Sequence, residues 1–335
     1  VNLSLTNTSV AALLTRQIKA NKFGKVLYEI CPKTTIKAFR SYISDTINIR
    51  HHKLYSSKSE AILLGEKRMV KALVCGAAGR MGSLIIQVIH DTEGIELSGA
   101  LEQPGHKSVG EDAGLVAGVG PLGIKITDRI EEVIDQAQVI IDFTTPEATK
   151  NMVLAAQKHR KPMVIGTTAL PDEVVSEIRK LAEQAPVVQS PNMSIGVNLL
   201  FALLPQIAQV LGESYDIEII EAHHRLKKDA PSGTAIKMAQ VLAKARGLDL
   251  AKAARYGRQG LPGERERGEI GIHAVRGGDI IGEHTVLFAG DAERIEITHR
   301  AHSRRTFACG AVRAALFVAR HQVAGLYDMK EILGL

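Results

Sequence analysis

The sequence predicts an α/β protein in which a parallel sheet, covered by helices on both faces, is joined to a second α+β domain with a mostly antiparallel sheet. Three observations predict this. From Val70 onward short apolar runs alternate with helix-length stretches; those runs are nearly unbroken, as strands buried on both faces require; and after Ser194 the texture changes to strand-length segments punctuated by glycine.

In order, the first strand runs from Val70 to Cys75, a helix from Arg80 to Ile89 and a second strand from Ile95 to Leu101. Buried-strand patterns recur at Val139 to Phe143 and Met163 to Ile165, each followed by a helix, Pro146 to Lys158 and Pro171 to Glu183. Both prolines stand where a first helical turn tolerates a missing N–H. Beyond Ser194 come a helix from Val197 to Leu211, a strand from Tyr215 to Ala222 and a helix from Thr234 to Ala245. Three strands follow, Ile270 to Val275, Ile280 to Phe288 and Arg294 to Thr298, separated by the turn signals Gly277-Gly278 and Gly290-Asp291.

Residues 1–68 have a different texture, rich in Ser, Thr, Asn and Lys with no sustained periodicity. They hold 12 of the 42 Lys and Arg but 4 of the 36 Asp and Glu, a net of +8, which leaves the remainder at −2. The basic excess that nucleic-acid binding needs is therefore missing from the body. Three readings compete for this extension: a stretch upstream of a start at Met69, an organelle-targeting segment, or a folded appendage. None gives it chemistry. Three cysteines without a Cys-x-x-Cys pair suggest neither a disulfide framework nor a metal site, and fit a reducing compartment, the cytoplasm or a plastid if the extension is a targeting segment. No uninterrupted apolar run approaches the roughly 18 residues of a membrane span, so no membrane partner is expected.

Two segments carry chemistry. Gly76-Ala77-Ala78-Gly79-Arg80-Met81-Gly82 follows a strand and opens a helix, the context in which glycines let the backbone approach a pyrophosphate and free N–H groups meet its charge. Glu102, at the end of the second strand, would accept hydrogen bonds from ribose hydroxyls, making the parallel domain Rossmann-like. The turns Asp142-Phe143-Thr144 and Gly166-Thr167-Thr168 end strands on the same side, although helix capping by Thr competes as a reading. In the second segment, Glu218 to Ala235, a strand passes through a loop holding His223, His224, Arg225, Lys227 and Lys228 into the helix start Ser232-Gly233-Thr234. Such a helix terminus can seat a carboxylate while the His and Lys move protons. Read alone, it could equally be a solvated basic loop with Ser232 as a cap.

The run Glu-x-x-Glu-x-His-x-x-x-Lys-x-Asp-x-Pro-Ser-Gly-Thr-Ala, from Glu218 to Ala235, resembles the signature of the 4-hydroxy-tetrahydrodipicolinate reductase family, the dihydrodipicolinate reductases of lysine and diaminopimelate synthesis. The likeness extends over Met69 to Leu335 and includes the glycine turn, Asp142-Phe143-Thr144, Gly166-Thr167-Thr168 and Asn192 to Asn198. It implies reduction of a cyclic dicarboxylate by NADH or NADPH, with His223 as general acid/base and Lys227 as proton donor. It implies His224, Gly233, Thr234 and Arg304 at the substrate, and Gly76 to Met81, Glu102, Gly166 to Thr168 and Ser190, Pro191, Asn192 and Met193 at the cofactor. It further implies that 69–193 with 304–335 form the nucleotide domain, that 194–303 form the substrate and subunit-contact domain, and that the enzyme is a homotetramer.

The chain departs from the family pattern at three places. Gln103 follows Glu102 where many members have a basic residue, Met193 replaces a frequent Phe, and Leu226 stands where His is common. Gln103 bears on cofactor choice: His106 and Lys107 could bend back toward a phosphate, so both cofactors are expected, with NADH equal or preferred. The alternatives are a nucleotide sensor without turnover and another two-domain reductase of aspartate metabolism. A semialdehyde dehydrogenase would need a nucleophilic cysteine, which Cys75 before the turn and Cys309 at the start of the last helix do not suit.

Overall fold

A computed structural model describes residues 69–321 and 323–335, so the expectations for residues 1–68 lie outside the described residues. The first sheet opens with β1 (Val70–Cys75), α1 (Arg80–His90) and β2 (Ile95–Leu101). It continues through α2 (Ala113–Ala117), β3 (Ile126–Thr127), β4 (Val139–Asp142), α3 (Pro146–His159), β5 (Met163–Ile165), α4 (Asp172–Ala182) and β6 (Pro186–Gln189). The chain then passes through α5 (Ile195–Leu211), β7 (Asp216–His223), α6 (Gly233–Ala245), α7 (Leu250–Ala253) and four strands, β8 (Ala254–Tyr256), β9 (Ile270–Arg276), β10 (Glu283–Ala289) and β11 (Arg294–Arg300). It ends with α8 (Arg305–Arg320), β12 (Gly325–Tyr327) and α9 (Met329–Leu333).

The seven-stranded sheet has the order β12-β6-β5-β4-β1-β2-β3, parallel throughout. Its order reverses between β1 and β4, where Cys75 pairs with Asp142 and the chains leaving the two strands diverge. A crevice opens at such a point in open α/β sheets. Residues of α1 and α8 pack one face of this sheet and residues of α3 and α4 the other, which is why β1, β4 and β5 carry almost no polar side chain.

The second sheet has the order β11-β10-β7-β9-β8. Its antiparallel pairs are β11/β10 and β10/β7, and it adds two parallel pairs, β7/β9 and β9/β8. Strand β7 alternates, with Ile217, Ile219, Glu221 and His223 facing inward. A period of two therefore delivers a carboxylate and an imidazole to the same buried face. Helices α5 and α6 cover that face.

Several elements depart from the sequence reading. Pro171 is the N-cap of α4 rather than its first helical residue, whereas Pro146 does open α3. The cap of α3 is Thr145, so Thr144 is left for another task. Strand β10 begins at Glu283, not Ile280, and Cys309 lies inside α8 rather than at its start. Strands β3, β6, β8 and β12 have two to four residues each, too short to carry a period; their neighbours define them. The segment Ile195–Ser214, at mean hydropathy 1.7, is long and apolar enough by composition to cross a membrane. It is not an unbroken apolar run, since Gly196, Asn198, Pro205, Gln206 and Gln209 interrupt it without charging it. In the structure its residues Leu200, Leu204 and Ala208 pack into the second core beside α6.

Candidate active site

The glycine turn is built for close approach. Gly76 holds φ +66, open to glycine with little strain. A Cβ on Gly82 would stand 2.0 Å from the Gly76 carbonyl oxygen. Helix α1 starts with no side-chain cap and no acid in its first turn, so its N-terminal N–H groups point at whatever the turn holds. Glu102 Oε2 accepts the Ala78 N–H at 3.1 Å, tying the end of β2 to the turn. A cavity of about 570 Å³ is lined by Gly76, Gly79, Arg80, Met81 and Glu102, together with Gln103, Asp128 and Glu131. These features fit the pyrophosphate-bearing part of a nicotinamide dinucleotide. His106 and Lys107 do not line this cavity; the His106 ring accepts the Ser108 N–H instead, so the expected compensation for Gln103 is not in place.

At the switch point lies a hydroxyl network the sequence did not reveal. Asp142 is fully buried. It accepts from Thr144 at 2.6 Å, Thr149 at 2.5 Å and Thr167 at 3.2 Å, while the Thr144 N–H donates to Thr167 Oγ1 at 3.1 Å. Burial pushes this carboxyl above its ordinary value and the three hydroxyls pull it partway back. Thr167 thus turns inward, and with Ala77 and Ala78 it lines neither the nucleotide cavity nor the adjoining cleft, unlike the other residues expected at the cofactor.

That cleft, of about 800 Å³, gathers residues from both sheets. Arg80, Met81, Gly166, Thr168 and Ser190 to Met193 line it from the first. His223, His224, Lys227, Gly233, Thr234 and Arg304 line it too, so every substrate-side residue expected from the sequence is present in one place. Asn192 Nδ2 donates to Thr234 Oγ1 at 3.0 Å, joining the two sides.

Lys227 Nζ sits 2.9 Å from both Asp229 oxygens. Burial holds the His223 imidazole below its ordinary value; Glu221 opposes this, and Lys227 and Arg276 add to it. The His224 Nδ1 atom is buried without a hydrogen-bond partner. Ser232 caps α6 by accepting from the Ala235 N–H, and its hydroxyl meets His284 Nε2 at 2.9 Å. Glu221, which pairs with His223, and Arg276, which pairs with Glu221, were not singled out from the sequence. Glu221 could have been found, being two residues before His223 on one strand face; Arg276 carries no local signal. The Cys75 thiol is pushed well above its ordinary value, first by burial and then by Asp142 and Glu102, so it is no nucleophile. Among the described residues no cluster could hold a metal ion.

The profile "Dihydrodipicolinate reductase, N-terminus" matches residues 70–193 and "Dihydrodipicolinate reductase, C-terminus" matches residues 196–333. The 4-hydroxy-tetrahydrodipicolinate reductase of Syntrophobacter fumaroxidans is 54% identical over 267 residues, covering 80% of this chain and 100% of the relative. That of Geobacter sulfurreducens is 52% identical over 268 residues with the same coverage. Among solved structures, a dipicolinate-bound dihydrodipicolinate reductase from Paenisporosarcina sp. TG-14 is similar at TM-score 0.60 and 28% identity, over 78% of this chain and 98% of that one. A parallel sheet with a glycine turn at its switch point, facing a cleft of His and Lys, defines a nicotinamide-dependent reductase. The chain belongs to the dihydrodipicolinate reductase family.

Proposed function

We propose that His223 and Lys227 are the acid/base pair of this reductase, acting on a dicarboxylate seated at the start of α6. The reaction is the reduction of 4-hydroxy-tetrahydrodipicolinate to tetrahydrodipicolinate in lysine and diaminopimelate biosynthesis. In it the substrate loses water and gains a hydride and a proton. One observation carries the residue roles: the cleft brings Arg80 and Met81 of the dinucleotide turn together with His223, Lys227 and the Gly233-Thr234 helix terminus.

A bound NADH or NADPH supplies the hydride. Gly76, Gly79, Arg80, Met81 and Glu102 would hold its adenosine and pyrophosphate part, and Gly166, Thr168 and Ser190 to Met193 its nicotinamide end. The N–H groups at the start of α6 and Arg304 neutralise the substrate carboxylates. His224, which lines the cleft beside that helix start, completes the carboxylate site. Lys227 donates the proton and His223 relays it, with Asp229 holding the Lys227 ammonium in reach. Residues 69–193 with 304–335 serve the nucleotide, and 194–303 serve the substrate and subunit contacts.

A homotetramer is expected, and the exposure of Ile220 and Val275 on the outer face of the second sheet supports self-association. The bacterial relatives favour the cytoplasm. A net charge of −2 over residues 69–335 supports no nucleic-acid partner.

The test is a coupled assay in which the substrate is generated in place and nicotinamide oxidation is followed. His223→Ala or Lys227→Ala lowers kcat by about 10² to 10⁴-fold, the usual contribution of an acid/base group, and leaves nucleotide affinity unchanged. Parent-like turnover in both variants would show the loop to be only a binding surface.

A further inference from the structure

His223 is not free to turn. Its Nδ1 lies 2.6 Å from Glu221 Oε2, and Glu221 is fully buried. The Arg276 guanidinium grips that carboxylate with both arms, Nη1 to Oε2 and Nη2 to Oε1, each at 2.8 Å. Oε1 also accepts the Ser232 N–H at 2.9 Å, at the cap of α6. Arg276 Nη2 continues to the Asp229 carbonyl at 2.7 Å, in the loop that carries Lys227.

An ionised carboxylate only accepts hydrogen bonds, so the proton between the two groups belongs to Nδ1, and Nε2 is left for the substrate. Space beside Nε2 is kept open by Gly282, where a methyl group would stand 3.0 Å from that nitrogen. A lone buried carboxylate would protonate rather than stay charged. Here burial does push the Glu221 carboxyl up, but Arg276, His223 and the Ser232 N–H outweigh it and hold it below the usual range. Neither Glu221 nor Arg276 lines the cleft.

We propose that Glu221 and Arg276 are positioning residues that fix the tautomer and orientation of His223 and tie it, through one carboxylate, to the helix terminus where the substrate carboxylates bind. This rests on the assignment of His223 as an acid/base group. The ionisable groups around the imidazole are Glu221 on its own strand, Lys227 in the following loop, Arg276 on β9 and His284 on β10, whose ring centroid is 5.2 Å away. Among these Glu221 alone raises the tendency of His223 to hold a second proton, while Lys227 and Arg276 lower it.

The experiment is nitrogen NMR of the histidine rings in the full chain, with His223→Ala to assign the signal and Glu221→Gln as the probe, alongside steady-state rates. In the parent the neutral His223 ring carries its proton on Nδ1. In Glu221→Gln its ionisation moves to lower pH and kcat falls, on the order of tenfold to a hundredfold by analogy with the carboxylates that orient metal-bound histidines, with NADH affinity unchanged. A parent ring protonated on Nε2 would overturn the proposal whether or not the variant folds. So would a Glu221→Gln enzyme whose kcat and ring ionisation match the parent. Parent-like kcat in His223→Ala would bring down the acid/base assignment itself, and this inference with it.

Discussion

At position 103 an uncharged amide follows Glu102, and the cavity beside the glycine turn adds Asp128 and Glu131 to that acid. A 2′-phosphate placed in this cavity would be repelled by the three carboxylates, with Arg80 offsetting them in part. The expected outcome is a kcat/KM that favours NADH over NADPH by a modest factor, on the order of tenfold or less, or about 1.4 kcal/mol. Gln103→Arg shifts the ratio toward NADPH; a strong NADPH preference in the parent, or no shift in the variant, contradicts this placement. A second residue-scale outcome concerns Thr149, buried against Asp142. Thr149→Val keeps the shape and removes a hydrogen bond to a buried carboxylate, so urea unfolding should show a loss of about 1 to 3 kcal/mol. Much of the site was legible because its residues are contiguous: a glycine turn and an eighteen-residue segment each carry their chemistry within one stretch of chain. Arg276 was not, because a side chain that meets its partner on a neighbouring strand 55 residues away leaves no local pattern, and Thr149 sits inside a helix whose periodicity says nothing of a bond back to the preceding strand.

Among elements, β7 does two jobs on its two faces. Inward it carries Glu221 and His223; outward it presents Glu218, which binds Arg258 at 3.0 Å through both oxygens, Arg265 at 3.0 Å and His273 at 2.7 Å. The long connection between β8 and β9 is thereby pinned to the sheet. Burial would raise the Glu218 carboxyl, but the hydrogen bonds from Arg258, His273 and Arg265 and the charge of Arg258 win and lower it to about 2 from an ordinary 4.5. A carboxyl depressed in the folded state contributes stability that is complete above its unfolded value and disappears as pH falls through its folded value. The melting temperature of the parent therefore falls between pH 4.5 and about 2. Glu218→Gln melts lower at neutral pH and the gap narrows across that same window. A constant gap would show that the carboxylate charge does not pin the connection. The helices and long strands were visible in the sequence because they carry a full period; β6 and β12, the last two strands of the parallel sheet, are too short to do so, and the half-parallel pairing of the second sheet follows from connections rather than from residues.

For the molecule as a whole, the family profiles begin at residue 70, and 267 residues of this chain match the full length of the Syntrophobacter fumaroxidans relative. Removing residues 1–68 is expected to leave turnover unchanged in the coupled assay; a truncated chain that folds but has lost most of its activity would show otherwise. The return of the C-terminus to the first sheet has a consequence for biosynthesis. Helix α8 contributes Ala308, Ala311, Val312, Ala315 and Val318 to the same core as Val74, Ile86 and Ile141, and β12 pairs with β6. Residues at the end of the chain thus close a layer begun more than two hundred positions earlier, a separation that slows folding because the intervening chain must be gathered first. A nascent chain that has reached only residue 300 holds its second sheet in full yet leaves the part of the first sheet's face beside α1, where α8 packs, uncovered. Until α8 and β12 are in place, that apolar stretch is exposed surface of the kind that chaperones shield from aggregation.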